Sequence, residues 1–247
     1  MSMKINKNHL FLLLSVSLVL FSSCSDSLSD TTDGRLRYWI STLASDEFEG
    51  RAPGTEGGKL TKNFISKTFQ DLSLDPVNGE YLHKVPASEI TLKDSSYLTL
   101  SFRGNDRKMI TGQEVVFWTK QAREYRKIRD SEVVFVGYGI VAPEYNWNDY
   151  EGIDVRGKTV VILVNDPGFA TGKLRLFNGR SMTYYGRWTY KFEEAARQGA
   201  TAAIIVHEEE PAAYPWSVVE NSWQGPQLDL QREDLGADRV ILEGWIR

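Results

Sequence analysis

Three groups of side chains in this chain of 247 residues have types and spacings that could do chemistry. The first is the loop Ser45-Asp-Glu-Phe-Glu-Gly-Arg51, continuing as Ala52-Pro-Gly-Thr-Glu-Gly-Gly58. It gathers Asp46, Glu47 and Glu49 around one guanidinium, Arg51. Glu49 and Arg51 are candidates to line a cleft, with Arg51 paired to an acid. The opposing interpretation is a solvated turn whose acids cap helices and whose glycines serve backbone geometry. A metal site here is not expected, because no histidine is near and zinc favours nitrogen or sulfur ligands. The second group surrounds the histidines, His9, His83 and His207. His207-Glu-Glu-Glu-Pro211 places carboxylates beside an imidazole, but Pro211 stands where a His-Glu-x-x-His motif needs its second ligand. That spacing fits a strand running into a surface turn. The third group is aromatic: Tyr214, Pro215, Trp216 and Trp223. Trp216 and Trp223 could form an apolar lip over a cleft, or a loop of irregular structure packed on a sheet.

Other chemistries are excluded by spacing. Gly168 to Lys173 lacks the Walker pattern, and Leu174 follows the lysine. Gly179 to Thr183 lacks the second glycine of a nucleophile elbow. Asn165-Asp-Pro-Gly168 reads as a turn after a strand, and no spaced array of acids supports calcium at Asp166. The formal net charge is −4 with no basic stripe, so nucleic acid is not an expected partner.

The elements that must position these groups follow from periodicity. Leu36, Trp39, Ile40 and Leu43 fall on one helical face, with Asp33 as the expected N-cap. Thr55 or Glu56 can start a second helix over 57–72, with Leu60, Phe64, Ile65, Phe69 and Leu72 on its apolar face. From residue 84 the texture becomes strand-like. Tyr97–Phe102, Val115–Trp118, Glu132–Val136, Thr159–Val164, Ala202–Val206 and Val240–Ile246 are expected strands. One helix is expected at 184–198, burying Tyr185, Trp188, Phe192 and Ala195 or Ala196 and stopped by Gly199. Hydrophobic content of 41% is ample for a packed core, and the fold class expected is α/β (α+β).

The string Leu43 to Gly57 resembles the N-terminal signature of the co-catalytic dizinc aminopeptidases, metallopeptidase family 28. The secreted members with an inserted protease-associated (PA) domain are the most similar. The resemblance continues through Phe135-Val-Gly-Tyr-Gly-Ile-Val-Ala-Pro143, Asn146 to Tyr150, Gly157 to Gly168 and Tyr184 to Trp223. It implies a zinc peptidase acting on peptides. Two zinc ions would be held by two histidines, two Asp or Glu and a bridging Asp, with a Glu as general base. It also implies that those ligands lie C-terminal to the PA insertion. The expectation is therefore that residues 33–83 are the N-terminal helices of a peptidase domain and 84–247 a PA insertion. The catalytic segment is expected beyond Arg247, leaving no zinc ligand and no catalytic residue in this chain. The rival expectation is a non-catalytic PA module that binds peptides or a partner protein.

The N-terminus reads as a targeting segment. Lys4 and Lys7 precede the apolar run Leu10 to Phe21, which is of signal-peptide length. Ser22 and Ser23 precede Cys24, the single cysteine, so no disulfide can form within the chain. The arrangement resembles a bacterial lipobox, with Phe21 where Leu is preferred. It implies cleavage after residue 23, lipidation of Cys24, a tether over 24–32, and an extracytoplasmic protein held on a membrane.

Overall fold

The computed structural model describes residues 32–247. Cys24 and the leader lie outside the described residues. The chain divides between Lys84 and Val85 into two compact units.

In the first unit, helix α1 (Thr32–Leu43) is followed by a 3-10 turn (Asp46–Arg51) and helix α2 (Glu56–Asp71). Asp33 is not an N-cap as expected. It lies inside the first turn of α1 and holds Arg37 one turn on, Nε to Oδ2 2.8 Å. Thr55 does cap α2, its hydroxyl accepting from Gly58 N at 3.1 Å. The turn packs back on α2 through Phe48, whose ring meets Phe64 edge-on at 6.1 Å. Phe48 is the buried hydrophobic side chain among the unit's described residues. Backbone contact helps: a Cβ on Gly57 would stand 2.0 Å from the Phe48 carbonyl oxygen.

The second unit has strands β1 (Ala87–Ile90), β2 (Tyr97–Phe102), β3 (Asn105–Ile110), β4 (Val115–Trp118), β5 (Val133–Phe135), β6 (Val141–Ala142), β7 (Trp147–Asn148) and β8 (Thr159–Leu163). Helix α3 (Pro167–Thr171) and helix α4 (Trp188–Arg197) follow, then β9 (Ala202–Val206), helix α5 (Glu209–Ala212), helix α6 (Trp216–Ser222), β10 (Gln227–Leu230) and β11 (Leu242–Ile246). The central sheet has the order β4-β11-β9-β8-β5. Its members are parallel except β4, which runs antiparallel to β11. The fold class is α/β.

The reason is legible in β8 and β9. Thr-Val-Val-Ile-Leu and Ala-Ala-Ile-Ile-Val are continuous apolar runs, the pattern of parallel strands covered on both faces. Val160, Ile162 and Ile205 have no exposure and pack with Phe192 and Ala195 of α4 and Trp245 of β11. Each such isoleucine contributes about 1.5–3 kcal/mol of burial. Gly199, at φ +81, ends α4 where the chain must turn back into β9.

Two expected irregular segments are ordered elements. Asn165–Gly168 is the start of α3, with Asp166 as its N-cap, and not an isolated turn. The 214–223 segment contains helix α6, because Pro215 presets the entry and Trp216 and Val219 share one buried face. Strands β1 and β10, the latter with polar residues at alternate positions, form a separate antiparallel ribbon. Strands β2 and β3 form another.

Candidate functional site

In the 85–247 unit an aromatic groove is built on the end of β4. Trp118 and Glu243 face each other across the β4–β11 pair. Indole Nε1 of Trp118 donates to Glu243 Oε2 at 2.9 Å. Glu243 is 1% exposed, and burial pushes its carboxyl up, against the pull of Lys120, the indole N–H and Arg239. The carboxylate fixes the Trp118 ring in one orientation. Trp223, just past α6, stacks on that ring with centroids 3.3 Å apart and planes 6° apart. Trp188, opening α4, stands perpendicular to Trp223 at 5.5 Å. Lys120 carries its ammonium over the Trp188 ring at 5.8 Å. Ile90, Gln227, Leu228 and Asp229 of the β1–β10 ribbon close the other side of a space of about 160 Å³.

The sequence candidates separate here. Trp223 lines this groove. Trp216 does not: it is 4% exposed, in the main core, with its indole N–H on the Gly112 carbonyl at 3.1 Å. Placement of Trp216 on an open lip is thus corrected, because helix α6 turns its ring inward. Glu49 and Arg51 belong to the first unit and are exposed. Arg51 donates to the Leu43 carbonyl and forms no ion pair with the neighbouring acids among the described residues, so it closes the C-terminal end of α1. Of the two readings of this loop, the one that pairs Arg51 with an acid is corrected on that ground. Both residues have positive φ, 45° at Glu49 and 63° at Arg51.

A second cluster was not anticipated from the sequence. It sits at the C-terminal ends of β5 and β8, the end of a parallel sheet where ligands commonly bind. Lys191 of α4 is fully buried, its Nζ donating to the Tyr138 carbonyl at 2.7 Å. Burial lowers its pKa to about 7, with Asp149 and Asp166 opposing the shift. Asp149 accepts from Ile140 N at 3.0 Å, and burial raises its carboxyl despite that bond and the lysine. Asp166 accepts from Gly168 N at 3.1 Å and from Thr183 N and Oγ1 at 3.0 and 2.7 Å. Its oxygens thus hold two loops together. The cluster ties the loops after β5 and β8 to α4, and it encloses the amine without an open face. A signal for it was present: Lys191 lies three residues after Trp188 and four before Ala195, on the face expected to be buried.

The zinc pair implied by the resemblance needs imidazole and carboxylate donors that converge. His207 is 6% exposed, boxed by Tyr214, Trp216 and Trp245 at ring distances of 5.5–6.0 Å. Burial lowers its pKa, and Nε2 meets no hydrogen-bonding partner. His83 is exposed and lies in the other unit. Among the described residues no three His, Cys, Asp or Glu side chains converge on a point where one ion could sit. These donors do not fit a co-catalytic pair.

No family model matches the chain, and no curated protein matches it. A solved structure, the aminopeptidase from Aneurinibacillus sp. strain AM-1, is similar over 83% of this chain and 45% of its own, at 14% identity and a TM-score of 0.29. The chain thus spans less than half the length of that aminopeptidase. A TM-score this low assigns neither an activity nor a fold.

Proposed function

We propose that this chain is the N-terminal and PA-domain portion of an extracytoplasmic zinc metalloaminopeptidase that hydrolyses N-terminal residues of peptides. The observation that carries the reading is the order of motifs in the sequence: Leu43 to Gly57, Phe135 to Pro143, Gly157 to Gly168 and Tyr184 to Trp223. Each maps onto a distinct part of the fold. The first is the turn between α1 and α2, the second the exit from β5, the third β8 and the start of α3, and the fourth includes α4 and α6.

Two zinc ions would supply Lewis-acid activation of water and of the scissile carbonyl. The described residues do not fit those ions, so no step is assigned to them. On this reading the ligands come from a segment C-terminal to this sequence, which is then the chain's first partner. The role left to these residues is to hold and orient: the α1–α2 turn to frame the catalytic domain, and the 85–247 unit to engage peptide. The same reading includes lipidation at Cys24 and attachment to a bacterial membrane.

A second reading, a non-catalytic lipid-anchored module that binds peptides or a partner, is favoured by one feature, the indole groove. The experiment that separates them is an aminoacyl-nitroanilide assay with metal analysis. It uses the purified chain and the chain co-expressed with the polypeptide encoded downstream of Arg247. Zinc and turnover that appear only on co-expression support the peptidase. Near-stoichiometric zinc with chelator-sensitive turnover in the chain alone would overturn the site assignment. No turnover in either sample favours the binding module.

A further inference from the structure

We propose that the indole groove binds an extended peptide that adds a strand to β10, seats one aromatic side chain among Trp118, Trp188 and Trp223, and presents an acidic residue to Lys120. The size of the space sets the first term. About 160 Å³ is close to the ~150 Å³ that holds a benzene ring and below the ~300 Å³ at which pockets for whole small molecules begin. The occupant is therefore one ring carried by something larger. Indoles at 90° and in a stack offer the edges and faces against which another ring packs best.

The ribbon supplies the second term. Gln231 N donates to Pro86 O at 2.9 Å, and antiparallel pairs alternate, so Ser88–Asp229 and Ile90–Gln227 are the bonded pairs. The backbone groups of Leu228 and Leu230 then face away from β1. Leu230 N–H is already taken by Asp229 Oδ1 at 2.9 Å. Leu228 keeps an N–H and a C=O directed outward, and among the described residues β10 pairs with β1 alone. Leu228 itself is 52% exposed and lines the groove. An extended chain can exchange both hydrogen bonds with Leu228 while its side chain enters the slot, which is strand addition to a sheet edge.

Charge supplies the third. Lys120 sits over an indole and forms no direct ion pair among the described residues, although its charge acts on buried Glu243 and Asp229 shares the groove lining. An acid next to the aromatic residue would meet it. Two polar groups of the lining are engaged within the protein, the Trp118 N–H on Glu243 and the Gln227 amide on the Ser222 and Gln224 carbonyls at 3.2 and 3.5 Å. The backbone groups of Leu228 favour a peptide over a saccharide, and competition by methyl glucoside decides between them.

The inference does not depend on the metallopeptidase reading, because binding is measured without metal or turnover. The probe is a labelled, acetylated and amidated hexapeptide, Thr-Val-Phe-Glu-Val-Thr, followed by fluorescence anisotropy on the full chain. Replacing its Phe by Ala should weaken binding at least tenfold, and replacing its Glu by Lys at least threefold. On the protein, Leu228→Pro removes the outward N–H without touching a β1–β10 bond, and should weaken binding at least fivefold. Lys120→Gln should abolish the preference for Glu over Lys. Circular dichroism establishes that each variant is folded, and the peptide variants test the inference even if one is not. No binding of the parent hexapeptide, equal affinity for its Phe and Ala forms, or methyl glucoside competing as well as the parent peptide would overturn the inference.

Discussion

The helix pair at 32–71 and the sheet unit at 85–247 are built from sequences patterned by the same rules, yet they bury very different fractions of their apolar faces. Both helices of the pair show a hydrophobic stripe, and α1 buries no residue at all. Leu36, Tyr38, Ile40, Phe69 and Leu72 remain 40–58% exposed. In the sheet unit α4, of only ten residues, buries Tyr190, Lys191, Phe192, Glu194 and Ala195. A stripe tells which side of a helix wants cover. It does not supply the cover, which in the second unit is a sheet closed on both faces. The first unit's tight joints are backbone on backbone, at Gly57 against Phe48 and at Gly58 against Ala52.

The largest expected effect follows directly. Ile205→Ala removes a side chain with no exposure from the centre of the sheet and should cost about 2–5 kcal/mol in urea unfolding. Ile65→Ala, on α2, removes a partly exposed side chain and should cost about 1 kcal/mol or less. Equal costs would erase the contrast between the units.

The next effect lies within the helix pair and sharpens the contrast. Gly57→Ala introduces a methyl where 2.0 Å separates the Cβ position from the Phe48 carbonyl oxygen. The oxygen belongs to the backbone, so the 46–51 turn has to move away, at about 1–3 kcal/mol. Trypsin cleavage after Arg51 should accelerate in the variant while the sheet unit's unfolding midpoint stays fixed. An unchanged cleavage rate would show that the turn accommodates the methyl.

How much of this was legible in the sequence differs between the same two regions and for the same reason. Strands β4, β8 and β9 could be read because apolar runs need two covered faces, and Gly199 because a helix feeding a strand needs a left-handed stop. Thr55 was legible as a start because capping is local. Lys191 was legible only by its place on the buried face of α4, a weak signal because a lysine in a helix is ordinarily solvated. Only the loops after β5 and β8, distant in sequence, enclose it and provide the Tyr138 carbonyl. The ribbon strand Gln-Leu-Asp-Leu was not legible either, because half its side chains are polar and its partner lies about 140 residues upstream. Of the aromatic candidates, Trp223 could be placed near a groove, but Trp216 could not be told from it without knowing that α6 forms. Arg51 was legible as a loop residue, while its carbonyl partner depended on where α1 ends.

Lys191 gives the third expected effect, in the sheet unit's dependence on pH. Its folded pKa, about 7, lies below its ordinary value of 10.5. Between those values the unfolded chain holds the proton and the folded chain does not, so stability rises as pH increases through that window. Below pH 7 both forms are charged and the contribution is absent. The window closes near pH 10, where Tyr185 and Tyr190, both pushed up to about 12, begin to oppose it. Lys191→Met should lose the bond to Tyr138, worth about 1–3 kcal/mol where a carbonyl is left unpaired. It should also flatten the rise in urea midpoint between pH 7 and 9.5. A variant that keeps the full rise would show that another group titrates there.

The smallest expected effect is the one that tests the exposed helix face itself. Ile40 is 58% exposed on α1, and no buried residue of that helix leans on it. Changing it to Lys removes little buried area and places a charge in solvent, so unfolding of the 247-residue chain should shift by about 0.5 kcal/mol or less. The same change in a chain supplied with the polypeptide encoded downstream has a different expected outcome under the proposed function. There the α1 face would be covered, and an uncompensated lysine beneath that cover would cost several-fold more than in the isolated chain. A shift above about 1.5 kcal/mol in the isolated chain would mean that α1 is already covered by its own polypeptide, and the difference between the two regions would then be one of degree. A small shift in both samples would instead leave the face without the partner that the proposed function requires of it. Paired urea titrations followed by far-UV circular dichroism read out both cases in one experiment.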